Sequence, residues 1–262
     1  MAGEDEMKLE GKRFVVTGSA TGMGAATVAA FVREGAEVVG FYRSRGYEAL
    51  AERLAGEPGS AHFVKVDVSE KEEVFPAMAA AAERLGGVDG LVHAAAVCPT
   101  TAAEDIGIDQ LMEVLRVNVG GTMLTNQAVL PFLQANGGGR ILNFASSAGA
   151  TGSAIKADYA ASKGAVLAWS RSIAVAWARH NITVNMICPV ISTDMYQATR
   201  DAMTPEQLAG HDASLATAIP LGGKFGDPDR DFAPVAVFLA GEGARFMTGQ
   251  MFSVDGGVLM VR

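Results

Sequence analysis

Tyr159 and Lys163 stand four residues apart in ADYAASKGAVLAWSRSIAVAWAR, a stretch whose pattern predicts a helix over Asp158–Arg179. At that spacing the two side chains share one helix face. An ammonium beside a phenol favours the phenolate and draws a pKa of about 10 toward neutrality. Tyr159 then becomes usable as a general acid and base. Ser146, thirteen residues earlier, follows a short apolar strand at Arg140–Ala145, where its hydroxyl is placed to hydrogen-bond the oxygen that Tyr159 protonates. A Tyr-x-x-x-Lys pair alone is common on solvated helix faces, so its meaning depends on the elements that hold it.

Those elements alternate along nearly the whole chain. Strands are expected at Arg13–Thr17, Glu37–Tyr42, His62–Val66, Val88–His93, Arg140–Ala145, Ile182–Cys188 and Gln250–Val254. They are short, apolar and largely unalternating, as strands covered on both faces are. Helical patterns lie between them at Met23–Glu34, Tyr47–Leu54, Ser69–Leu85, Ile108–Gln134, Asp158–Arg179 and Asp229–Leu239. Repeated β-α units predict an α/β fold, a doubly wound and mostly parallel sheet of about seven strands with helices on both faces. No linker or repeat divides the chain. One domain is expected over 9–262, behind a flexible tail at 1–8. Ser69 and Glu72 suggest a capping box, and Pro76 a kink or late start in the third helix. Asn118, Gly120 and Gly121 interrupt the long fourth helix at a cost of about 1 kcal/mol per glycine, a local rule broken in the manner of a functional site.

Composition narrows the function. Apolar residues make up 49% of 262, enough for a sizeable core, and the net charge of −8 with no basic run argues against nucleic-acid binding. Cys98 and Cys188 are the sole cysteines, in no metal-ligand spacing, so neither a disulfide framework nor a metal site is expected. The acidic start MAGEDEMKLEGK has no apolar core of a signal peptide, and no run is long enough to span a bilayer. The chain reads as soluble and cytoplasmic.

Directly after the first strand comes Thr17-Gly18-Ser19-Ala20-Thr21-Gly22-Met23-Gly24 and then a helix. Glycines at a strand-to-helix turn allow close approach of a pyrophosphate, which rests on the helix N-terminus. A cluster of glycines also suits an ordinary tight turn; its place on the first β-α turn favours a dinucleotide. At the end of the second strand, where an NAD site has an acid for the ribose 2′-hydroxyl, the chain has Tyr42, Arg43 and Ser44. No carboxylate repels a 2′-phosphate there, and Arg43 can grip one bidentately, so NADP is favoured, with NAD as the alternative.

With these residues in order, the chain resembles the short-chain dehydrogenase/reductases from about Leu9 to Val261, a single-domain Rossmann-type family. Further matching stretches are Asp67-Val68, VNVGG around Asn118, and TGQMFSVDGG near the C-terminus. The resemblance implies that Tyr159 exchanges the proton, Lys163 lowers its pKa and bonds the nicotinamide ribose, Ser146 orients the substrate oxygen, and Asn118 holds a relay water. It also implies that Gly18, Ser19, Thr21, Gly22, Met23 and Gly24 line the pyrophosphate and adenosine side. Asp67 and Val68 would meet the adenine, with Pro189, Ile191 and Thr193 at the nicotinamide end. Ser147 rivals Ser146, though the thirteen-residue spacing favours the latter. Two motifs depart from the pattern. His93-Ala94-Ala95-Ala96 replaces Asn-Asn-Ala-Gly, which removes strand-tying hydrogen bonds and puts a Cβ beside the cofactor ribose. Pro189-Val190 replaces Pro-Gly, and a branched side chain forbids positive φ there.

Over Ser192–Leu221 the periodicity breaks down, and the family places a substrate lid in this region. Its scattered apolar residues, Met195 among them, suggest a modestly apolar carbonyl or secondary alcohol, with Ile155, Cys98 and Val190 as candidate walls. Surplus apolar residues on the fourth and fifth helices (Leu167, Trp169, Ile173, Val175, Trp177) suggest a homotetramer, or failing that a dimer. The expected function is an NADP(H)-dependent oxidoreductase. An NAD-linked alcohol or diol dehydrogenase and a non-catalytic nucleotide-binding regulator are the alternatives.

Overall fold

A computed structural model describes residues 7–44 and 46–260. The seven strands, β1 (Arg13–Thr17), β2 (Glu37–Tyr42), β3 (Ser60–Lys65), β4 (Gly90–His93), β5 (Gly139–Phe144), β6 (Ile182–Pro189) and β7 (Met251–Val254), form one sheet in the order β3-β2-β1-β4-β5-β6-β7. Every neighbouring pair is parallel. The direction of winding reverses between β1 and β4, and parallel sheets open a crevice at such a point beyond the carboxyl ends of the strands.

The unalternating strand sequences follow from burial on both faces. Within β1, Phe14 and Val16 join the core on one side with Phe31, Phe144 and Phe232, while Val15 joins the other with Met78, Leu133, Ile141 and Ile173. The first side is covered by α1 (Gly22–Arg33) and α10 (Ala233–Ala240). The second is covered by α3 (Lys71–Leu85), α5 (Gly121–Ala135) and α7 (Ala157–Trp177). Each fully buried aromatic or branched aliphatic side chain contributes about 1.5–3 kcal/mol. Five more, α2 (Tyr47–Arg53), α4 (Ile108–Leu115), α6 (Ala148–Thr151), α8 (Asp194–Asp201) and α9 (Pro205–Ala218), complete the α-helices among the described residues.

Some expectations need correction. The capping box at Ser69 does not form: α3 starts at Lys71, and the Ser69 hydroxyl donates instead to Asp67 Oδ1 at 2.6 Å. A short polar side chain that finds a nearer acceptor leaves the cap empty. The region expected to lack periodicity holds two helices, α8 and α9. The second begins on a capping box in which Thr204 and Gln207 exchange side-chain and backbone bonds, with Pro205 at the first helical position. The long fourth helix is three pieces: α4, a π-helical turn at Arg116–Gly120, and α5. The break falls at Asn118, where the poor helix formers pointed. Among the described residues no helix is long and apolar enough to cross a membrane.

Candidate active site

A cavity of about 560 Å³ opens where the winding reverses. One wall is the glycine turn. Gly18 and Gly22 lie at φ 64° and 57°, and a Cβ on Gly24 would sit 2.1 Å from the Gly18 carbonyl oxygen, so the turn admits no other residue at that position. Thr21, at the N-cap of α1, makes no side-chain cap, and the first turn holds no acidic residue. The first amides of a twelve-residue helix therefore face the cavity without a competing anion, a fit for a pyrophosphate. Gly18, Ala20, Thr21, Gly22, Met23 and Gly24 all line this wall.

Ser19 does not. Its side chain is fully buried beneath β2, where a Cβ on Gly40 would lie 2.7 Å from its hydroxyl. The expectation for Ser19 is corrected on that ground: the turn tucks this one side chain under the sheet, while Gly18 and the residues from Ala20 to Gly24 line the cavity.

Tyr42, Arg43 and Ser44 form the far lip with Asp67 and Val68. The Tyr42 ring packs 4.5 Å from Tyr47, which packs 5.3 Å from Phe63, so aromatic stacking fills the place of an acid. Arg43 and Ser44 are exposed. Asp67 is pulled two ways. Burial works to raise its pKa, but the two bonds from Ser69 and the charges of Arg43 and Arg116 hold it below the usual carboxylate value.

At the other end Ser146, Tyr159, Lys163, Pro189 and Thr193 line the cavity, with Ala94, Ala95 and Ala96 between. Ser146 leaves the C-terminal end of β5 and accepts from Ala148 N at 3.2 Å; its neighbour Ser147 starts α6 and lies outside the lining. Tyr159 and Lys163 share a face of α7, as their spacing requires. The buried Asp158, in the first turn of α7, accepts from Tyr159 N at 2.7 Å and from Gln110 Nε2 on α4 at 2.7 Å.

The electrostatics differ from the expectation that the ammonium lowers the phenol. Burial pushes Tyr159 up to about 12, helped by the nearby thiols of Cys98 and Cys188 and opposed by a hydrogen bond with Ser146. Burial brings Lys163 down to about 8. Its Nζ donates to the Phe144 carbonyl at 2.7 Å and lies 5.6 Å from the centre of the Tyr159 ring. The ammonium keeps its charge in that bond, but at this distance burial outweighs it in setting the phenol.

Asn118 lies behind the cavity, fully buried in the π turn. Its Oδ1 accepts from Val97 N at 2.8 Å, and its Nδ2 donates to Val97 O at 2.9 Å and Ser162 Oγ at 3.0 Å. It thus ties the segment after β4 to α7, while the adjacent Val117 reaches the cavity.

Several predicted residues stand outside the lining. Ile191 packs into the core against Gly226. Val190 is held by backbone bonds to Val254 and Gly226. Ile155 is 54% exposed, its carbonyl taken by Thr101 N. Cys98 is exposed and lies outside the lining. The side chain of Met195 lies outside the described residues. Conversely, Phe41, Val66, Val97, Val117, Phe144 and Ala145 line the cavity unforeseen. Four of them sit at or just beyond strand ends, which is the signal that would have found them.

Comparison with known proteins bears on the whole chain. The family model described as enoyl-(acyl carrier protein) reductase matches residues 18–259. The D-threitol dehydrogenase of Mycolicibacterium smegmatis is 34% identical over 254 residues, covering 96% of this chain and 94% of that protein. A 3-oxoacyl-[acyl-carrier-protein] reductase of Thermotoga maritima is 30% identical over 256 residues, covering 97% and 100%. Among solved structures, a candidate NAD(P)-dependent gluconate 5-dehydrogenase from Beutenbergia cavernae, with NADP bound at low occupancy, is 32% identical. It superimposes with a TM-score of 0.85 over 97% of this chain and 98% of that one. The similarity runs through the glycine turn, the π turn and α7 alike, and the chain belongs to the short-chain dehydrogenase/reductase family of oxidoreductases.

Proposed function

We propose that this protein is a cytoplasmic NADP(H)-dependent oxidoreductase that interconverts a small carbonyl compound and its secondary alcohol. The observation that carries the reading is the meeting of Ser146, Tyr159 and Lys163 with the glycine turn and Arg43 around one cavity. A nicotinamide cofactor held there supplies or accepts the hydride. Tyr159 moves the proton at the substrate oxygen, and its high pKa keeps it protonated at neutral pH, the form that a carbonyl reduction consumes. Ser146 holds that oxygen by its hydroxyl. Lys163 holds the ribose when its Nζ leaves the Phe144 carbonyl. Asp67 and Val68 face the adenine. Above them α8 and α9 act as the lid, joined by Tyr196 Oη to His211 Nε2 at 3.0 Å and by the Arg200–Asp212 ion pair. Thr193, which caps α8 by accepting from Tyr196 N, links the lid to the cavity wall.

A second reading, an NAD-linked polyol dehydrogenase, has the threitol relative in its favour; the absence of a carboxylate at the end of β2 weighs against it. Titration of NADPH and NADH fluorescence separates the two. Arg43→Ala is expected to weaken NADPH binding about 10–100-fold and leave NADH within about threefold, since charge-assisted bonds contribute about 1.5–3 kcal/mol. Tyr159→Phe, assayed on a panel of ketones and alcohols, is expected to lower turnover by about 10²–10⁴ with cofactor affinity retained. Turnover undiminished by that change would leave only a nucleotide-binding role.

A further inference from the structure

Three separate pieces of chain bound the cofactor cavity: the glycine turn after β1, the segment 94–97 after β4, and the π turn before α5. One side chain reaches the supports of all three. His93 ends β4 and pairs in register with Thr17, the last residue of β1. Its Nδ1 lies 3.1 Å from Thr17 Oγ1 and 2.9 Å from Thr125 Oγ1. Thr17 Oγ1 in turn accepts from Ala95 N at 3.2 Å. Thr125 Oγ1 donates to the carbonyl of Gly121, where the π turn passes into α5.

The clearance these bonds control is small. A Cβ on Gly18 would lie 2.8 Å from Ala95 N, so the glycine turn and the Ala94–Ala96 wall are already in contact. A shift of β1 against β4 would change the width of the cavity directly. The ring is 1% exposed, and its Nε2 has no partner among the described residues. A phenyl ring would fill the same space without a buried unpaired nitrogen, so packing alone does not account for a histidine here.

We propose that His93 is a positioning residue for the dinucleotide: through Thr17 and Thr125 it sets the spacing of the glycine turn, the Ala94–Ala96 wall and the π turn that carries Asn118. The proposal rests on reading the cavity as a nicotinamide dinucleotide site. It differs from a packing role in that only the hydrogen bonds of the ring matter for binding.

Equilibrium titration of NADPH by fluorescence, with thermal unfolding in parallel, tests it. His93→Phe keeps the volume and removes the bonds; it is expected to bind NADPH about tenfold more weakly while still unfolding cooperatively. His93→Asn, which can still reach Thr17 from the neighbouring strand, is expected to stay within threefold of wild type. Thr17→Val is expected to lose as much as His93→Phe, and the double variant no more than either alone, because both break one chain of bonds. His93→Phe binding as tightly as wild type overturns the proposal, as does His93→Asn falling with it. Should His93→Phe fail to fold, Thr125→Val, which leaves the Thr17–Ala95 bond intact, decides it: wild-type affinity overturns the proposal, and a tenfold loss alongside the same loss in Thr17→Val upholds it. Wild-type protein binding neither NADPH nor NADH would instead sink the dinucleotide reading itself.

Discussion

In the Tyr159–Lys163 pair, burial drives the phenol up to about 12 and the amine down to about 8, so both are pressed toward their neutral forms before any ligand arrives. His93 is driven the same way. Burial first, then the charge of Lys163 on α7, lowers it to about 3, against a weaker pull from the Ala95 backbone. Its ordinary value is about 6.5, so as pH falls the unfolded chain takes up this proton before the folded one does. The stability that His93 contributes is therefore whole above pH 6.5 and lost as pH falls from there through the folded value, by at most about 1.4 kcal/mol per unit. Urea unfolding of wild type and His93→Asn between pH 7 and 5 is expected to show a steeper loss in wild type. Parallel slopes would mean that the ring is not held neutral.

At the scale of elements, the site depends on two departures from regular structure. The glycine turn packs backbone on backbone, so Gly24→Ala must push α1 away from Gly18. Overpacking of this kind costs about 1–3 kcal/mol, which for a chain of this size lowers the melting temperature by roughly 2–12 °C. Calorimetry is expected to show that loss together with weakened NADPH binding. The π turn is the other departure. Its extra residue swings Asn118 inward to grip Val97 while Val117 faces the cavity, and π turns of this sort recur at functional sites.

On the scale of the whole molecule, a sheet covered on both faces still leaves apolar side chains in water. Val175 on α7 is 82% exposed, and Ile108 and Met112 on α4 are 67% and 56% exposed. The α4 residues lie by the first turn of α7, where Gln110 meets Asp158, and Val175 lies near its other end, so two apolar patches stay exposed, and we propose that a homotetramer covers them. Size-exclusion chromatography with light scattering is expected to give the mass of four copies. Val175→Glu with Met112→Glu is expected to reduce the assembly without lowering the stability of the single chain. A monomeric wild type would overturn this.

Local pattern by itself determined most of the architecture. Apolar strands without alternation announce burial on both faces, and β1 and β2 run where their sequences place them. The glycine spacing, the Tyr-x-x-x-Lys pair and the weak helix formers around Asn118 likewise act within a turn or two of chain, so their geometry is written locally. What depended on contacts between distant segments was decided only by the tertiary structure. Ser19 turns under β2, Lys163 bonds the Phe144 carbonyl at the end of β5, and His93 joins β1 to α5. Each of those side chains answers to partners brought near by the packing of the sheet and its helices. Burial of a charge or a hydroxyl is a property of that packing, and no spacing along the chain encodes it.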